Sequence, residues 1–281
     1  MARKYEFTGE TKEVDGCTLH RIRAVRDIDR FLDWAVGEGA IGGWIGSESN
    51  LSHDGSCWVE DEACVYGDAK VFGDARVCGD ARVCGDAKVC GYAQVCGYAL
   101  VGDRAKVFGE AFVSGSSELT DAAEVYGMAE VMGAARVYGR AKICDHAALR
   151  DCAHVHGHAV VKGHAAIFSA HVFGDATVCG FANVDGLASI CGDVVIEHSY
   201  DYVVFKNTWS SLRFFTYTRP DHMWCVGCFR GTGEELIEKA YKDDELKGKC
   251  YEIIVRAAEQ VEAAEIKARE ELEEQMRCQH E

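Results

Sequence analysis

From Val65 onward the chain alternates between apolar and polar positions with a period of six. An aliphatic residue stands at every sixth position from Val65 to Ile167. The pattern resumes at Val172 and runs to Ile196 after one slip, because Ile167-Phe168-Ser169-Ala170-His171 is one residue short. A small residue, mostly Ala, follows four places after nearly every aliphatic one. Ala69 and Val71 are thus two apart and share a face. That face is uniformly apolar and must point inward, while the Lys or Arg between them points out. Gly-Asp then turns a corner, Gly supplying a backbone conformation that other residues resist. One hexad has room for one short strand and one corner. Three corners close a triangular coil of about 18 residues, and some eight to nine coils stacked at roughly 4.8 Å make a rod of roughly 40 Å. The pattern predicts a mainly β chain, with a parallel β-helix over residues 45–200, an N-terminal cap over 1–44 and a small α+β module over 201–281.

The flanks depart from the period. Residues 4–26 read as a hairpin about the turn dipeptide Asp15-Gly16. A short helix is expected over 28–36, capped by Asp27, with Phe31, Leu32 and Trp34 as its contacts. Such a piece would cover the open first coil, whose edge and interior are otherwise exposed. Gly42-Gly43-Trp44-Ile45 leads into irregular first hexads at Ile45 and Leu51, with about two extra residues before Val59. Beyond Tyr200, residues 202–207, 213–219 and 223–229 read as three strands, with a type I turn at Arg219-Pro220-Asp221-His222. Thr232-Gly233-Glu234-Glu235 has capping-box spacing and should open a helix. A break near Lys247-Gly248 should precede a longer helix over 249–276, with Ile254, Ala257, Val261, Ala264 and Ala268 along one side.

The hexads Val65-Tyr66-Gly67-Asp68-Ala69-Lys70 and their successors resemble the hexapeptide-repeat proteins. That resemblance implies a left-handed coil, against the usual crossover preference. Lys4-Tyr5-Glu6-Phe7-Thr8-Gly9-Glu10, Thr18-Leu19-His20-Arg21-Ile22-Arg23-Ala24 and Gly42-Gly43-Trp44-Ile45 further resemble a YdcK-like subgroup of phages, prophages and gut bacteria. The subgroup implies a protein of the bacterial cytoplasm and a role in host takeover or counter-defence, including capture of a nucleotide signal. The hexad itself specifies fold and says little about activity.

Charge narrows the partners. The 281 residues carry a net charge of −16, about −1 over residues 1–44, −10 over 45–200 and −5 beyond. No segment is basic, which argues against nucleic acid and anionic membrane as partners. No stretch has the length of an apolar membrane span. A face imitating DNA would need stacked acids. Asp68 and Asp86 stack, but Arg104 and Arg140 follow them on the same ladder. The N-terminus runs straight into mixed polar sequence and does not read as a secretory signal. Its 15 Cys are therefore expected as cytoplasmic thiols. Cys78 and Cys96 are one coil apart and could oxidise together, whereas Cys84 stacks on Gly102 and finds no partner there.

Residues 18 apart share a face, which makes outward ladders readable. The position before the aliphatic gives Lys70, Lys88, Lys106, Glu124 and Lys142; the position after it gives Phe72, Cys90, Phe108, Tyr126 and Cys144. A Lys ladder beside an aromatic and thiol stripe suits contact with a sister subunit, a host protein or a small anionic ligand. The competing reading is that these side chains cover their own corners, Lys stems over rings. Hexapeptide-repeat enzymes are usually trimers, and the resemblance favours that state here.

Six His fall between residues 146 and 171. His154, His156 and His171 could bring three imidazoles within reach of a metal, as hexapeptide-type carbonic anhydrases do with zinc, although their ligand spacing is lacking; a solvated ladder is the alternative. Hexapeptide acyltransferases use a His base with acyl-CoA between subunits, so His154, His156 and His158 are base candidates and acetyl-CoA the implied cofactor. Those enzymes shape the acceptor site with an excursion loop, and here the coils run almost uninterrupted. The expectation is a non-enzymatic scaffold without cofactor, with the acyltransferase as its rival. In the C-terminal module Lys206, Trp209, Arg213, Phe215, Tyr217, Arg219 and Trp224 offer Arg and rings for gripping a base or a partner, or for packing a core. Cys225 and Cys228 have metal-like spacing but no second pair, and are read as structural thiols.

Overall fold

In the computed structural model, residues 3–28, 35–208 and 212–278 are described. The chain folds as two compact units, Met1–Leu187 with Cys191–Ser199, and Ala188–Ile190 with Tyr200–Glu281.

The first unit is a parallel β-solenoid of about eight coils. Each hexad contributes a two-residue strand, and each strand pairs in parallel with the one a coil away. Val65 lies on Val83, Val71 on Val89 and Val77 on Val95. Three walls result. The first takes in Cys64–Val65 and Arg82–Val83, the second begins at Lys70–Val71, and the third runs from Trp58–Val59 to Asn183–Val184. The aliphatic and Ala positions from Ala63 to Val184 are buried, Val83 and Ala87 wholly so. Small and medium side chains in alternation fill this narrow interior without voids. The five-residue unit is absorbed at one corner, where Ser169 takes φ 48° and Ala170 remains inside.

The corners of the regular coils depend on a left-handed residue, joined by a second, Leu187, at the corner of Gly186. Gly85 has φ 65° and Gly133 φ 72°. Five Asp residues, at 61, 103, 121, 145 and 151, occupy the same hexad position with φ between 51° and 59°. Asp adopts this conformation more readily than most side chains. In four of the five its carboxylate also accepts the corner N–H of the next coil: Asp61 from Gly79 at 3.0 Å, Asp103 from Asp121 at 3.0 Å, Asp121 from Gly139 at 2.8 Å and Asp145 from Gly163 at 3.0 Å.

The N-terminal strands Tyr5–Val14 and Cys17–Ala24 form the expected hairpin. They cap the solenoid by extending its first wall edgewise. Cys17–Ala24 pairs antiparallel with Ile41–Ile45, which pairs in parallel with Cys64–Val65. Of the helix expected over 28–36, residues 29–34 lie outside the described ones; its ends, Ile28 and Val36, are bonded to each other as an antiparallel bridge. Buried Lys4 ties this cap to the irregular segment before Val59, donating to the Cys57 carbonyl at 2.8 Å.

The second unit contains an antiparallel sheet of four strands, Tyr202–Lys206, Phe214–Thr218, Met223–Val226 and Phe229–Gly231. The expected third strand is in fact a hairpin, because Gly227 at φ 61° turns the chain within it. Helix α1 (Gly233–Asp243) opens with the predicted capping box of Thr232 and Glu235. Helix α2 (Glu245–Cys278) begins after Asp244, and the break expected at Gly248 is absent. Gly248 is a packing residue: a Cβ there would stand 2.3 Å from the Tyr241 ring. The buried face of α2 is Tyr251, Ile254, Val255 and Ala258, rotated from the predicted side, and Val261 is 48% exposed.

Candidate functional site

The second wall carries the predicted double ladder. Lys70 pairs with Lys88, Lys88 with Lys106, Lys106 with Glu124 and Glu124 with Lys142. Glu124 interrupts the positive run and engages both neighbours, Lys106 at 2.8 Å and Lys142 at 3.9 Å. Lys70 and Lys88 are exposed, and neither has an acidic partner among the described residues. The wall is thus most positive at its beginning.

At the corner that follows, Phe72, Cys90, Phe108, Tyr126 and Cys144 occupy successive coils. Phe72 is 39% exposed. The Phe108 and Tyr126 rings stack at 4.8 Å with planes 4° apart. A hydrogen bond with Cys144, then burial, pushes the Tyr126 hydroxyl up to about 12, and burial raises the Cys90 and Cys144 thiols. All three groups are therefore neutral near pH 7. Two residues further round the same corner stands a column of which the sequence reading had only the stacked pair His146 and His164: Tyr92, Glu110, Met128, His146, His164 and Phe181. Tyr92, Met128 and Phe181 are exposed, Phe181 by 77%, and His146, His164 and Phe181 stack at 4.8 and 4.9 Å. The signal was present, since the same 18-residue step applied three places after the aliphatic residue yields it.

The His-rich patch divides between different contacts. His154 lies 4.7 Å from His171, while His156 is inserted between Tyr138 at 4.6 Å and Phe173 at 5.1 Å, with nearly parallel planes. Burial, then His171, lowers the pKa of both His154 and His156. No group of three or more His, Cys, Asp or Glu among the described residues is placed to hold a metal. His158 meets Asp175 at 3.2 Å on an exposed corner. Cys78 and Cys96, a coil apart on the third wall, form a disulfide with Cα atoms 4.7 Å apart.

In the second unit, three aromatic residues expected at a binding surface are buried instead. Phe215, Tyr217 and Trp224 are buried, Trp224 to 1% exposure, in the core with Leu236, Val255 and Ala258. The hydrophobic gain of packing two helices on the sheet places them there. The Tyr217 hydroxyl donates to Glu262 at 2.6 Å. Trp209 lies outside the described residues. Lys206 is exposed, its ammonium over the Phe214 ring at 5.2 Å. Arg219 pairs with Glu265 beside a cleft of about 230 Å³ that Glu262, Pro220 and Ile266 also line. Arg213 lines a hollow of about 50 Å³ with Lys239 and Lys247, whose positive charge Asp243 already meets.

The sequence matches no protein-family model and no curated protein. Among the described residues no helix is long and apolar enough to cross a membrane.

Proposed function

We propose that this protein is a non-enzymatic binding scaffold whose solenoid presents its second wall and the adjoining corner to a partner or an anionic, nucleotide-like ligand. The observation that carries the reading is the pair of exposed lysines Lys70 and Lys88, without an acidic partner among the described residues, beside the column from Phe72 to Tyr126. Ammonium groups next to the exposed Phe72 ring and the half-buried Phe108 and Tyr126 rings suit an anion with an apolar body, and a partly exposed apolar column suits contact. Association into a trimer through this corner, a left-handed coil and kinship with YdcK-like phage proteins belong to the same proposal. The kinship supports a counter-defence or host-takeover role by analogy.

A second reading, acyl transfer from acetyl-CoA, draws on the His158–Asp175 pair, since a carboxylate can orient a His base. His154 and His156 are already engaged with other rings. Thermal unfolding with ADP or acetyl-CoA, together with the mass in solution, separates the two. ADP should stabilise the wild type, and Lys70→Ala with Lys88→Ala should remove that effect. Phe72→Ser with Tyr126→Ser should lower the mass of an oligomer. Stabilisation by acetyl-CoA that survives the Lys changes and disappears in His158→Gln would replace the scaffold by the transferase.

A further inference from the structure

Two other outward columns of the solenoid carry unbroken runs of three rings. Tyr138, His156 and Phe173 form three consecutive rungs, as do His146, His164 and Phe181. The column on the second-wall corner differs. It has rings at Phe72, Phe108 and Tyr126, and a thiol at Cys90 where the second rung would be. Backbone bonds from Phe72 to Val89 (3.1 Å), from Cys90 to Val107 (2.9 Å) and from Phe108 to Val125 (3.0 Å) place the three side chains on successive coils. Phe108 and Tyr126, on adjacent coils, stack at 4.8 Å. Phe72 and Phe108 are two coils apart, so the backbone positions that carry their rings stand about 9.6 Å from each other, twice the strand spacing. A planar ring entering midway would lie about 4.8 Å from each, within the range that aromatic pairs prefer.

We infer that the gap between Phe72 and Phe108, floored by Cys90, is a stacking slot for a planar aromatic group bearing an anionic tail, a purine nucleotide being the fitting class. The Cys side chain reaches less far out than a ring and leaves the outer part of the rung open. Lys88 lies two residues before Cys90 on the same outward side, and Lys70 flanks it one coil below. Neither ammonium has an acidic partner among the described residues, which leaves both for phosphate oxygens. Lys106, on the far side, is held by Glu124, so the tail runs toward Lys70. Base–ring stacking tolerates any base, so phosphate charge and ring size set the preference. This slot rests on the reading of the second wall as the contact face and names its ligand.

Calorimetric titration of the full-length protein with ADP and adenosine tests it. Cys90→Phe supplies the absent rung, giving four stacked rings, and should raise the melting temperature while lowering ADP affinity by about tenfold or more. Cys90→Leu blocks the slot without a ring and serves if the Phe variant misfolds. Cys90→Ser should bind ADP like the wild type. Lys88→Ala should weaken ADP more than adenosine. ADP binding abolished by Lys70→Ala with Lys88→Ala yet unchanged in both Cys90→Phe and Cys90→Leu overturns the slot and leaves the wall reading standing. A wild type that binds neither ADP nor adenosine also overturns the slot, and the wall reading is then decided by the mass of the Phe72→Ser with Tyr126→Ser protein.

Discussion

Every corner of the solenoid needs one residue in the left-handed region, and its neighbours decide how strictly. At Gly133 (φ 72°) a Cβ would stand 2.7 Å from the Asp151 nitrogen, whereas at Gly186 (φ 63°) nothing lies within 4 Å. Gly186→Ala should therefore cost about 1 kcal/mol, the conformational penalty alone. Gly133→Ala should cost about 1–3 kcal/mol more, because backbone must move to admit the methyl group. Urea unfolding of the two variants measures the difference, and equal losses would show that the coils do not press on each other at the corners. The Gly-Asp dipeptide was legible as a corner from the repeat. That Asp replaces Gly at 61, 103, 121 and 145 and bonds to the next coil was not. That bond links residues 18 apart in sequence, and only coil stacking makes them neighbours.

At the scale of elements, Glu62 is one of the groups that fasten the N-terminal cap. Glu62 accepts from Arg21 at 2.6 Å, from the Trp44 indole at 2.9 Å and from Lys12 at 3.2 Å. The Arg21 hydrogen bond first, with help from Trp44 and Lys12, holds its carboxyl down at about 2 against the ordinary 4.5. A depressed folded-state pKa means that the unfolded chain takes up the proton first. The stabilisation is complete above about pH 4.5 and is lost as pH falls toward about 2. Glu62→Gln should flatten the melting-temperature profile over this window while leaving the slope near neutral pH unchanged. A profile identical to the wild type would place the acid sensitivity elsewhere. Elements were read well where a local turn or cap signal decided them, as in the hairpin about Asp15-Gly16 and the capping box at Thr232. They were misread where packing decided. Gly248 resembles a helix stop, but its role is to let the Tyr241 ring approach α2. The buried face of α2 was displaced because α1 and the sheet, not the spacing of Ala residues, select it.

At the scale of the whole molecule, the solenoid unit repeats by translation, and deletions test this directly. Removing residues 105–122 takes one strand from each wall, so every remaining residue keeps its wall. The shortened protein should unfold cooperatively and retain the Lys70–Lys88 face. Removing only residues 105–110 should also leave a folded coil, because inward positions are alike on all walls. It moves every later residue round by one wall, so Tyr126 no longer continues the column begun by Phe72. Circular dichroism should report both as folded, and solution mass should report loss of association only in the shorter deletion. A shorter deletion that fails to fold would mean that the walls are not interchangeable.

The sequence alone determined the coil, its inward residues and which outward residues share a ladder, because a period of six with three corners leaves one arrangement of neighbours. The Lys and aromatic positions of the second wall follow from that arithmetic. The tertiary structure decided what each ladder does. Glu124 neutralises two of the lysines, His156 disappears into a ring stack, and Tyr217 and Trp224 belong to a core. Reach, ring orientation and competition for the same partner settle such matters, and these are properties of side chains in space that a repeat unit does not encode.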